Sequence, residues 1–117
     1  MRLMEQGKRT VTVKPAAAGG VYRENDRLYR FDAERAFTVR AAIQPMAETS
    51  GAALYGETPE ARLLMLTDGG ETLDEGMGVC VDVHENAPCD YRIAEMPRRY
   101  QSHKECTLAF IPPELRG

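Results

Sequence analysis

The chain has 117 residues, the size of one domain, and its 43% hydrophobic and 28% charged residues match an ordinary globular composition. A formal net charge of −3, with the signs interspersed, argues against a sequence-independent grip on nucleic acid, which needs a strong positive field. No apolar run reaches the roughly 18 residues of a membrane span, and Met1–Arg9 lacks the apolar region of a signal peptide. The expectation is one domain over residues 1–117 with a flexible start at 1–8, made in a reducing cytoplasm. Cys80, Cys89 and Cys106 are an odd number, so free buried thiols are expected rather than a disulfide framework.

Alternation with period two dominates the chain. Thr10–Lys14 reads as a strand with Val11 and Val13 on one face and Thr10, Thr12 and Lys14 on the other, ended by Pro15. Tyr22 to Tyr29 reads as a tight hairpin turning at Asn25-Asp26, two residues that tolerate a left-handed backbone. Phe37–Gln44 is the cleanest strand, with Phe37, Val39, Ala41 and Ile43 on one face. Pro45 has no N–H to continue a ladder. Pro45–Pro59 is then a long polar loop in which Ser50 can cap a short helical turn and Gly56 can end it. Loops of this length in small domains usually serve a function.

Residues 61–67 read as a strand with two greasy faces, Leu63 and Met65 against Leu64 and Leu66. Such a strand is buried on both sides or meets another chain. Gly76 suits a tight turn before a strand at Val79–Val83. Tyr91–Met96 follows, with Tyr91 and Ile93 inward, and Lys104–Ile111 closes the series with Cys106, Leu108 and Phe110 on one face. The sum is a mostly β fold: a small six-stranded antiparallel barrel or sandwich, with one extra hairpin and one long loop.

Sites for chemistry are sparse. Cys80, His84, Cys89, His103 and Cys106 are all possible zinc ligands, and the pairs Cys80/His84 and His103/Cys106 could supply two ligands each. Their spacing is not that of a zinc ribbon or knuckle. No cysteine stands at a helix start and no nucleophile elbow occurs, so neither a Cys–His dyad nor a serine hydrolase is expected. Glu57 with Glu60, and Asp74 with Glu75, read as solvated loop carboxylates. Gly19-Gly20 and Gly69-Gly70 lack the flanking residues of a phosphate loop. Arg92, Arg98, Arg99, His103 and Lys104 form a locally basic stretch that reads as a solvated surface, with phosphate contact as the alternative.

The order of these pieces resembles the head closure proteins of long-tailed phages, also called stopper or head–tail joining proteins. The resemblance rests on the strand ending Ala42-Ile43-Gln44-Pro45, the loop ending Leu54-Tyr55-Gly56, the run Leu73-Asp74-Glu75-Gly76-Met77 before Val79, and the strand Tyr91-Arg92-Ile93. It spans about Lys8 to Ile111. The Tyr22 hairpin and the three cysteines are not part of that pattern.

The resemblance implies a virion structural protein with no catalysis and no cofactor. It would form a ring between the portal or adaptor and the tail, assembled in the host cytoplasm. The loop over 45–59 would face the DNA channel, through Glu48, Thr49, Ser50, Gly51, Leu54, Tyr55, Gly56 and Glu57, and touch DNA only in passing. Leu64, Leu66 and Tyr55 are the candidate contacts between subunits. A metal- or ligand-binding barrel, and a tail terminator or tail completion protein, are the rival readings.

Overall fold

A computed structural model describes residues 8–17, 28–45, 62–68 and 72–117. Seven strands occur among them: β1 (Lys8–Lys14), β2 (Phe37–Pro45), β3 (Arg62–Thr67), β4 (Gly78–Cys80), β5 (Tyr91–Ile93), β6 (Arg98–Arg99) and β7 (Lys104–Phe110). The helical content of the described residues is two single 3-10 turns, Ala33–Arg35 and Pro113–Leu115.

The pairings among these seven strands are all antiparallel, and they close. The strands run β3-β2-β1-β4-β5-β7, and β3 then pairs with β7 from Arg62↔Ala109 to Thr67↔Lys104. The result is a six-stranded barrel, which decides between the barrel and the sandwich expected from periodicity. Closure gives each ring strand a partner on both sides and removes the free edges of an open sheet.

Period-two patterning fills the interior. Val11 and Val13 of β1, Val39 and Ala41 of β2, Met65 of β3, Val79 of β4, Tyr91 and Ile93 of β5, and Cys106 and Leu108 of β7 form one buried cluster. Phe37, Ile43, Leu63 and Phe110 pack against it from the rims. Fully buried side chains of the Ile93 and Leu108 kind contribute about 1.5–3 kcal/mol each. Tyr91 and Phe110 face each other across β5 and β7 and meet edge to face, centroids 5.4 Å apart.

Several expectations change. Lys8, placed with the flexible start, is the first residue of β1, and its ammonium is bonded to Asp68 at 2.8 Å. The fourth ring strand stops at Cys80 instead of reaching Val83, because Asp90 captures the next two amides. The strand from Tyr91 stops at Ile93, although the Ala94 N–H still reaches the Thr107 carbonyl at 2.8 Å.

Beyond it Glu95, Met96 and Pro97 stand opposite the single residue Cys106 before pairing resumes at Arg98↔Glu105. This two-residue bulge pushes Met96 into solvent at 67% exposure and creates β6, the strand outside the ring. Of the expected Tyr22 hairpin, residues 22–27 lie outside the described residues. Tyr29 is bridged in parallel to Arg116 of the C-terminal segment.

Gly76 takes a left-handed backbone (φ 93°) at the turn Asp74–Met77. Its N–H bonds to the Ile93 carbonyl, and the Ile93 N–H returns to Met77. A side chain at that φ would be strained, which explains the glycine.

Candidate functional site

The outer wall of the barrel over β1 and β4 carries a second, smaller buried group. Alternation sends Val11, Val13 and Val79 inward, so Lys14, Gly78 and Cys80 do not join the interior cluster. They are nevertheless buried, Lys14 at 5% and Cys80 at 5% exposure, because the β4–β5 connection folds back over them. That connection brings Ala87 and Cys89 onto the wall.

Asp90 holds the connection in place. It is 2% exposed, and its carboxylate accepts the N–H groups of Val81 at 2.8 Å and Asp82 at 2.9 Å. Its own carbonyl accepts the Ile111 N–H at 2.8 Å. A buried carboxylate is tolerated when its oxygens are satisfied in this way. Lys14 does the same work from β1: its Nζ donates to the Ala87 carbonyl at 2.9 Å. Arg9, further along β1, donates to the Val81 carbonyl.

Cys80 and Cys89 meet beneath this clamp with sulfurs 3.7 Å apart. A Cβ built on Gly78 would stand 2.7 Å from Cys89 Sγ and 2.8 Å from the Phe31 ring, so only glycine lets the thiol and the ring pack this close to β4. A cavity of about 150 Å3 adjoins Cys89, lined also by Lys14, Phe31, Asn86, Ala87 and Pro88, among others.

The two thiols have opposite acidities. The hydrogen bond shared with Cys89 favours the Cys80 thiolate, outweighs burial and, with Lys14 nearby, brings the Cys80 thiol down from 9.0 to about 7. The Cys89 thiol is pushed up by that same bond, then by burial and by the adjacent Cys80 charge. The contact between the two sulfurs is thus the largest cause of both shifts.

The expected zinc ligands are dispersed. Cys106 is fully buried in the barrel interior. His84 is exposed and its Nδ1 accepts the Asn86 N–H at 3.1 Å. His103 stacks on Tyr100, centroids 4.9 Å apart, and faces Glu105 at 3.4 Å. Among the described residues no group of three or more His, Cys, Asp or Glu side chains could hold a metal ion.

The basic stretch also divides. Arg92 lies over the Tyr29 ring at 5.2 Å, whereas Arg98 and Arg99 are exposed on β6. Asp74 and Glu75 are exposed in their turn.

The channel-loop residues Glu48, Thr49, Ser50, Gly51, Leu54, Tyr55, Gly56 and Glu57 lie outside the described residues. Of the two leucines expected to meet a partner, Leu66 is only 8% exposed and has little surface to offer. Leu64 is half-buried. The second greasy face of β3 is thus largely covered within the chain. Comparison with protein-family models, curated proteins and solved structures returns no match.

Proposed function

We propose that this chain is a structural subunit of a long-tailed phage or prophage particle, joining the head to the tail as one member of a homo-oligomeric ring and helping to close the DNA channel. The observation that carries the reading is where the polar loop attaches. β2 and β3 are paired to their ends, Pro45 against Leu63, so the connection over 46–61 starts and finishes at one rim of the barrel. The resemblance puts the channel-facing loop in this same connection.

The composition of that connection suits the role. Residues 46–61 contain Glu48, Glu57 and Glu60 and no lysine or arginine. A surface without cations lets a phosphate backbone slide past without being held. The closed ring of strands favours assembly through loops and side chains over strand addition. Leu64 and Tyr55 are the contacts proposed between subunits, with the portal or adaptor ring and the tail as partners.

Deleting residues 49–57 tests this. The expected result is a barrel with unchanged circular dichroism and particles that leak DNA or lack tails. Normal titres from the deletion would refute the channel role. A tail terminator or tail completion role on the same scaffold is distinguished by the gene order around the coding sequence.

A small ligand-binding barrel is the second reading, favoured by the cavity beside Cys89. A small molecule that co-purifies with the folded protein and is released on denaturation, read by mass spectrometry, would support it over the joining role.

A further inference from the structure

We propose that Cys80 and Cys89 form an oxidisable pair that a small peroxide converts into an intramolecular disulfide, locking the β4–β5 connection onto the barrel wall. The inference is independent of the joining role and rests on placement. The two sulfurs lie 3.7 Å apart, on β4 and on the connection that covers it. A disulfide needs about 2.05 Å, a closure within reach of side-chain rotation and a small backbone shift. Both residues are buried, at 5% and 1% exposure, which excludes bulky oxidants and protein thiols. The cavity lined by Lys14, Ala87 and Cys89 admits a molecule the size of a peroxide, and Cys80, which does not line it, lies one sulfur contact of 3.7 Å beyond Cys89.

The pair has a built-in division of labour. Cys80 is the nucleophile, since the shared hydrogen bond and Lys14 favour its thiolate. Cys89 keeps its proton and is the resolving thiol. The Cys80 thiolate attacks one peroxide oxygen, the O–O bond breaks, and hydroxide leaves, giving a sulfenic acid. Cys89 sulfur then attacks the Cys80 sulfur, the S–O bond breaks, and the departing hydroxide takes the Cys89 proton as water. The two thiols lose two electrons in total, and hydrogen peroxide is reduced to two waters, the first hydroxide taking back from solvent the proton that the Cys80 thiol released.

Cys106 is the internal control. It is fully buried among the interior side chains of the barrel, away from this wall. Lys14, Glu85 and Asp90 are the charged groups near the pair, and none of them is an alternative site of oxidation.

The test uses the purified full chain and hydrogen peroxide, followed by intact mass and non-reducing peptide mapping. The expected product has lost two hydrogens, links the Cys80 and Cys89 peptides, and leaves Cys106 free. Its 81–90 segment is cut more slowly by protease than in the reduced chain. The Cys89→Ala variant should stop at a Cys80 sulfenic acid, read as a gain of one oxygen in intact mass and trapped by a dimedone-type probe added together with denaturant at least tenfold more than in the wild type. Oxidation that begins at Cys106, linkage between chains in place of linkage within one, or no reaction of the native wild type would each overturn the proposal.

Discussion

Replacing Asp90 should be the most damaging single change on the outer wall. The carboxylate is buried and accepts two backbone amides, from Val81 and Asp82, which have left the ladder at the end of β4. In Asp90→Ala both donors lose their acceptor. An orphaned donor costs about 1–3 kcal/mol. Both bonds are only partly buried, so water can recover part of the loss. The lower half of the range applies to each, about 2–4 kcal/mol for the two together.

At this chain length that corresponds to a fall of roughly 8–15 °C in melting temperature, measured by circular dichroism or calorimetry. Asp90→Asn keeps the shape, retains one acceptor, and sets its NH2 against the second amide, so it should lose about 1–2 kcal/mol. Amide exchange at Val81 and Asp82 should accelerate in both variants, while the interior amides of β7 slow or quicken only with global stability. An Asn variant within about 0.5 kcal/mol of wild type, with those two amides still protected, would show that the carboxylate is not the clamp described here.

Gly78→Ala inserts a methyl group where Cys89 Sγ and Phe31 already stand within 3 Å, and overpacking of this kind should cost about 1–3 kcal/mol in urea unfolding. Adding Cys89→Ala to the same chain should recover part of the loss, and an alanine tolerated without cost would refute the close packing. Alkylation of Cys80 should be half-maximal near pH 7, and in Cys89→Ala the inflection should rise toward the ordinary thiol range near ~8.5, because the largest cause of the shift is gone. A thiol lowered in the folded state adds stability as pH rises from about 7 to 9.0, and that gain is lost as pH falls through 7; Cys89, shifted up, works the other way above 9.0. A wild-type inflection above 8 would rule out the hydrogen bond between the two sulfurs.

The barrel was legible because its interior is written with strict alternation. Val11/Val13, Phe37 to Ile43, Tyr91/Ile93 and Cys106/Leu108 all face inward as their period requires. What alternation could not show was where a ladder stops. Val79–Val83 alternates without a break, yet pairing ends at Cys80 because a carboxylate distant in sequence competes for the next amides. The bulge at Glu95–Pro97 was similarly hidden, although Pro97 was a usable signal.

The outer-wall group is the part least legible in the sequence. Alternation puts Lys14 on the polar face of β1, and only the fold of a connection onto that face buries it with Cys80 and Cys89. The cysteine count predicts free buried thiols, but nine positions of sequence separation carry no information about the contact between Cys80 and Cys89 across a loop. The two greasy faces of β3 left burial on both sides and contact with another chain equally open, and Leu66, at 8% exposure, falls to the first while Leu64 is half-buried.

The strand outside the ring has a consequence for behaviour at high concentration. Among the described residues β6 pairs with β7 alone, so one row of its backbone amides and carbonyls is open to recruitment by another molecule. It is two residues long, both are exposed arginines, and Pro97 precedes it. Brevity, like charges and a missing N–H each frustrate growth of a cross-strand stack. Exchanging both arginines for threonine or valine would leave the barrel intact and turn a guarded margin into a nucleus for fibrils.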